Sequence, residues 1–231
     1  LRVSALHGVD FTNSKGEYGA IVGTTGSGKS TLLNMLAGLE KPTKGEIVIA
    51  GEHIENKTEK QLVRFRREHI GFSFQTFNLL SRMTARENVA LPLTFQGVDK
   101  AKRLKKASAL LDLVKLGKYK NHRPTQMSGG QQQRVGVARA LVVDPEIIFA
   151  DEPTGNLDSN TSREVMELMQ QVVHEKQQTL VMVTHDNHLA SFADRIFHII
   201  DGKIVRIDDM TGKSKEEREK EEKKREEEAS I

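Results

Sequence analysis

The chain has 231 residues, 37% of them hydrophobic, enough for one large domain or a domain with a subdomain. It has no Cys, which excludes a disulfide framework and a thiolate metal site and fits a reducing cytoplasm. Its 35 basic and 32 acidic residues give a net charge of only +3, and aromatics are 5%, so neither a nucleic-acid-binding surface nor a base-stacking platform is expected.

In chain order, residues 1–10 lack the basic-then-apolar pattern of a secretory signal. Residues 18–23 read as a buried strand and 30–39 as a helix, with Gly38 and Pro42 near its end. Residues 46–50 and 69–75 read as short strands. Residues 76–128 lack strand patterns and are expected to form an inserted helical subdomain, with helical periodicity at Leu104, Leu110, Leu111 and Val114 within 101–116. A helix over 130–143 ends before Asp144-Pro145, and 146–151 is an apolar strand. A helix over 159–175 carries Val165, Leu168, Met169 and Val172 on one face; residues 179–184 form a buried strand, and 195–207 a hairpin around Asp201-Gly202. Strands alternating with helices predict an α/β fold with a mostly parallel sheet. The domain is expected over 1–208. The tail, 209–231, is rich in Lys, Arg and Glu without an apolar seam, and reads as helical or disordered rather than as a coiled coil. No run of about 18 apolar residues is present to span a bilayer.

The strongest local pattern is Gly23-Thr24-Thr25-Gly26-Ser27-Gly28-Lys29-Ser30, which fits G-x-x-x-x-G-K-[ST]. It lies between a predicted strand and a predicted helix. Glycines let the backbone wrap closely around an anion, and successive N–H groups then cradle phosphate oxygens at the positive end of the helix. Lys29 would reach the outer phosphates, the Ser30 hydroxyl a magnesium ion, and Thr31 follows within the same site. The strand over 146–151 ends in Asp151-Glu152. In a P-loop fold Asp151 would hold Mg2+ and Glu152 would orient or deprotonate the attacking water. Alone, Asp-Glu after a strand is a weak signal; beside the phosphate loop it gains meaning.

Met127-Ser128-Gly129-Gly130-Gln131-Gln132-Gln133-Arg134 resembles the signature motif of the ABC ATPase family, with Met127 where Leu is usual. By itself Ser-Gly-Gly reads better as a helix cap and turn; its place 23 residues before Asp151 turns the reading toward the family motif. Gln75 resembles the family's Q-loop glutamine, Gly155-Asn156-Leu157-Asp158 its D-loop, and His185 its switch histidine. The resemblance spans residues 1–208. Asp151–Asp158, Phe77-Asn78-Leu79-Leu80 and Glu87-Asn88-Val89 are similar to the subgroup of lipoprotein-releasing, macrolide-exporting and cell-division ATPases.

The resemblance implies a P-loop NTPase fold with an antiparallel β portion and ATP and Mg2+ as ligands. It implies a homodimer in which Ser128, Gly129, Gly130, Gln131 and Asp158 of one copy face ATP on the other's phosphate loop. Lys29, Gln75, Glu152 and His185 would carry catalysis, and Ser30, Gln75 and Asp151 the metal. The partner implied is a membrane permease, received near residues 78–93, with the chain peripheral on the cytoplasmic face. The alternatives are an ATPase regulating a membrane-bound protease or cell-division complex without transport, and a soluble non-transport ABC ATPase. Against the DNA-repair type, the span from Lys29 to Met127 is too short for a long coiled coil. No aromatic residue precedes Asp10, so the family's adenine-stacking aromatic is expected upstream of Leu1.

Overall fold

A computed structural model describes residues 5–213 and Glu217. Among the described residues eight strands form: β1 (Tyr18–Val22), β2 (Val48–Ile49), β3 (Glu52–His53), β4 (Ile70–Phe74), β5 (Ile147–Asp151), β6 (Thr179–Thr184), β7 (Arg195–Ile200) and β8 (Lys203–Asp209). Six of them make one sheet in the order β4-β5-β6-β1-β7-β8, parallel except for β8, which returns antiparallel to β7. The hairpin turn Asp201-Gly202 has φ of 47° and 72°, the two positive values that a tight antiparallel turn needs. β2 and β3 pair separately.

The sheet is covered on both faces, so its central strands are mostly apolar; every residue of β1 and β6 is buried, including the threonines at the two ends of β6. Side-chain alternation then splits each strand between two layers. Tyr18, Ala20, Val22, Leu180 and Met182 point into one, and Ile21, Val181 and Val183 into the other. The second layer is closed by α1 (Lys29–Leu36) and α2 (Glu59–His69), which contribute Leu32, Leu33, Leu62 and Phe65. The first is closed by α3 (Ala85–Phe95), α4 (Lys100–Leu113), α5 (Gly129–Leu141), α6 (Ser159–Lys176) and α7 (Asn187–Ala190).

Between β4 and α5 the chain forms α3, α4 and two single 3-10 turns, and no strand. The strand expected over 46–50 shrinks to Val48–Ile49, the two residues in register with β3; Ile47 is tied instead by the Ile54 N–H on its carbonyl and by its own N–H on the Glu55 carboxylate. The helix expected over 30–39 starts one residue earlier and stops at Leu36. α2 is absent from the expectations. Its start was legible in the Thr58 capping box, where Gln61 N–H reaches the Thr58 hydroxyl and the Gln61 side chain returns to Thr58 N–H. Its weak apolar stripe, with only Leu62 and Phe65 buried, hid it. The charged-tail expectation falls almost entirely outside the described residues. Among the described residues, no helix is long and apolar enough to cross a membrane.

Candidate functional site

The parallel strands bring four distant stretches to one edge. In register, Phe74 lies beside Asp151, Asp151 beside Val183, and Val22 beside Thr184. The residues that continue these strands therefore emerge side by side at the C-terminal edge, with neighbouring strands about 4.8 Å apart. They are Gly23 after β1, Gln75 after β4, Glu152 after β5 and His185 after β6. Ligands of open α/β sheets bind at this edge.

After β1, residues 23–28 turn into α1. A Cβ on Gly23 would lie 2.3 Å from the Ile199 carbonyl oxygen and 2.7 Å from Ser27 Oγ, so only glycine fits. Gly26 and Gly28 adopt φ of 85° and 99°. Gly28 supplies no side-chain cap, which leaves the first N–H groups of α1 open for an anion. Thr24, Thr25, Gly26 and Ser30 are exposed, whereas Lys29 is buried. Its ammonium donates to the carbonyls of Gly23 and Thr24, both at 2.8 Å, and sits inside the loop. The Ser27 hydroxyl is buried without a hydrogen-bond partner among the described residues. This loop of open donors and one cation fits phosphate oxygens.

At the end of β5, Glu152 has a φ of 42° while its N–H donates to the Val183 carbonyl at 2.9 Å. A non-glycine residue in this region costs on the order of 1 kcal/mol or more, and such positions cluster at functional sites. The turn brings a Glu152 carboxylate oxygen 2.9 Å from His185 Nδ1. The half-buried Asp151 carboxyl is pushed above the usual carboxylate range, first by burial and then by the charge of Glu152, with Lys29 opposing. Such a carboxylate gains from a nearby cation. Among the described residues no group of three or more His, Cys, Asp or Glu could hold a metal. A magnesium ion would therefore need phosphate oxygens beside Asp151, Ser30 and Gln75, and the donor set is of the oxygen type that Mg2+ takes.

Ser128, Gly129, Gly130 and Gln131 form the N-terminus of α5. The Gln131 N–H donates to the Ser128 hydroxyl at 3.3 Å, and Ser128 N–H to the Gln131 side-chain oxygen at 3.0 Å. The Gln131 side chain thus closes a capping box, where sequence reasoning placed it toward nucleotide. Gly129 and Gly130 pack on the next segment: Cβ atoms there would lie 3.1 Å from Leu157 Cδ2 and 2.3 Å from Thr161 Cγ2. Asp158 caps α6, accepting from the Thr161 N–H at 3.1 Å and the Thr161 hydroxyl at 2.6 Å. The signature-like and D-loop-like residues therefore form one packed group. It is joined to the strand-end group through Gln75, whose carbonyl accepts from Asn156 Nδ2 at 3.0 Å and whose side-chain amide lies against Gly155.

Sequence reasoning missed the residues that fix the segment after Gln75. Arg139, in the last turn of α5, donates to the carbonyls of Phe77 and Asn78, and Asn88, fully buried on α3, bonds Leu80, Met83 and Thr84. Asn88 stood inside a quoted pattern without an assigned role. A lone arginine among apolar residues 135–141 was the only signal for Arg139.

Comparison with known proteins agrees with this geometry. The family model for ABC transporters matches residues 6–155. An uncharacterized ABC transporter ATP-binding protein of Thermotoga maritima is 49% identical over 90% of this chain and 88% of its own. The lipoprotein-releasing system ATP-binding protein LolD 1 of Rhodopseudomonas palustris is 47% identical over 88% of this chain and 91% of its own. The macrolide export ATP-binding/permease protein MacB of Hyphomonas neptunium is 47% identical over 88% of this chain, but only 31% of that longer protein is covered. Among solved structures, the dimeric ATP-binding cassette MJ0796 in a post-hydrolysis state with ADP and Pi superposes with a TM-score of 0.81 and 43% identity, covering 90% of this chain and 91% of the other. The chain belongs to the ABC transporter family, as an ATP-binding and ATP-hydrolysing cassette.

Proposed function

We propose that two copies of this chain close head to tail around two MgATP and that closing and opening drive a transmembrane permease at the cytoplasmic face of the cell membrane. The observation that carries this reading is the Glu152–His185 pair, 2.9 Å apart at the sheet edge that also carries the phosphate loop. Hydrolysis of a phosphoanhydride asks mainly for positioning and charge neutralisation. The loop N–H groups and Lys29 bind the outer phosphates. Glu152 takes or directs the proton of the attacking water, and His185 keeps that carboxylate aimed while lying within reach of the terminal phosphate. Ser30, Gln75 and Asp151 would hold magnesium, which would neutralise phosphate charge when bound. Ser128 and Gly129 of the second copy supply the opposite wall. ADP and phosphate hold the closed pair less well than ATP, and this difference is the work available to the partner.

The two dimeric MJ0796 cassettes, one of them bound to ADP and Pi, support the pairing. The combined name of the MacB relatives supports a permease partner. So do Leu80 and Phe95, large apolar residues exposed in the segment after Gln75 and at the end of α3.

The test is Glu152→Gln, studied by ATP turnover and by light scattering with and without MgATP. Turnover should be abolished and the variant should run as a dimer only with MgATP. Near-normal turnover would refute the role of Glu152, and a monomer under MgATP would refute the pairing.

A further inference from the structure

We infer that Arg139 is a positioning residue for ATP turnover: by holding a left-handed bend after Gln75 to the helix that begins at Ser128, it makes the glutamine and the signature residues move as one unit. This rests on the proposed role of Gln75 at the nucleotide.

Phe77 and Asn78 have φ of 58° and 48°. Two consecutive non-glycine residues in the left-handed region are strained and persist only when surroundings fix them. Arg139 does so. Its guanidinium donates to the Phe77 carbonyl at 2.8 Å and, through the other terminal nitrogen, to the Asn78 carbonyl. The planar fork gives each of the two adjacent carbonyls its own terminal nitrogen in a fixed geometry, which a single rotatable ammonium does not. Burial depresses the Arg139 pKa, the direction that opposes its charge, and the two accepting carbonyls offset that cost.

The bend also runs along α5. A Cβ on Gly129 would meet the Phe77 ring at 3.8 Å, and one on Gly136 would meet the Phe77 carbonyl at 3.9 Å. Phe77 therefore lies along the helix between its signature end and its arginine end. Two further ties join α5 to β4, the strand that delivers Gln75. Gln133 donates to the Ser73 hydroxyl at 3.0 Å in the buried core. A Cβ on Gly71 would come within 2.3 Å of the Ala140 carbonyl oxygen, so β4 and α5 are in backbone contact there. A displacement of Ser128 is thus carried along α5 to the residues next to Gln75, and the reverse.

Three single variants of the full chain test this: Arg139→Gln, Asn78→Val, whose β-branched side chain disfavours the left-handed region, and Gln75→Ala as reference. Steady-state ATPase is read beside binding of a fluorescent ATP analogue and melting temperature. Arg139→Gln and Asn78→Val should each lower kcat about tenfold while KM and nucleotide affinity stay within about twofold, the pattern of lost transition-state positioning. The double variant should be hardly slower than either single one, because both undo the same bend. Unchanged turnover in Arg139→Gln, with turnover lost in Gln75→Ala, overturns the inference. So does a fall in turnover that only follows a fall in nucleotide affinity and melting temperature. If Gln75→Ala itself keeps turnover, the role given to Gln75 fails, and the inference fails with it.

Discussion

Gly130→Ala isolates one contact that joins the signature helix to α6. The new Cβ would lie 2.3 Å from Thr161 Cγ2, far inside van der Waals contact. Thr161 cannot swing away cheaply. Its χ1 is restricted by β-branching, and its hydroxyl is committed to Asp158 at 2.6 Å. The clash must therefore move α5 relative to α6 or break the Asp158 cap. Overpacking of this kind costs about 1–3 kcal/mol, against up to about 1 kcal/mol gained by replacing glycine within a helix. The net expectation is a loss of about 1–2 kcal/mol, which for a chain of this size lowers the melting temperature by roughly 2–8 °C. Turnover should fall as well, because Ser128 and Gly129 shift with the helix. Thr161→Ser removes only Cγ2 and keeps the hydroxyl cap. The double variant should then recover most of the loss, with a coupling of about 1 kcal/mol or more between the two positions. Urea denaturation and ATPase assays on the four proteins of this cycle measure it. A stable and active Gly130→Ala protein, or a double variant no better than the sum of its singles, would refute the packing account.

Other outcomes follow from neighbouring features. Asn88→Ala leaves the Leu80, Met83 and Thr84 backbone groups without their buried partner and should cost about 2–4 kcal/mol in urea denaturation, with faster amide exchange over 80–84; Asn88→Asp should be worse, since a carboxylate cannot donate to those carbonyls. Asp151→Asn should abolish magnesium-dependent turnover yet raise the melting temperature of the nucleotide-free chain at neutral pH. A carboxyl whose folded pKa is raised disfavours the fold at pH values above its unfolded pKa, so the gain should shrink as pH falls toward the ordinary Asp range. His185→Ala should keep nucleotide binding and lower turnover by about tenfold to a hundredfold, because Glu152 loses its 2.9 Å partner; equal loss of binding would contradict this.

The sequence by itself determined the α/β class, the phosphate loop and the order of the strand-end residues, because local patterns carry these. A buried parallel strand reads as a nearly continuous apolar run, as β1 does and as β6 does between its terminal threonines, and a loop that wraps phosphate must place glycines at fixed spacing. The same locality explains what was misjudged. Residues 46–50 alternate like a strand, but a strand needs a neighbour in register, and β3 is in register only with Val48–Ile49. Tertiary structure alone decided which distant residues meet. The register of β4, β5 and β6 sets Gln75, Glu152 and His185 in one row, and a positive φ at Glu152 turns its carboxylate to the histidine. It also decided that Gln131 and Asp158 cap helices, and that Arg139 grips a bend sixty residues upstream in the chain. A hydrogen bond to a backbone carbonyl leaves no mark on the identity of the residue that accepts it, so the grip of Arg139 on Phe77 and Asn78 could be seen only once the chain was folded.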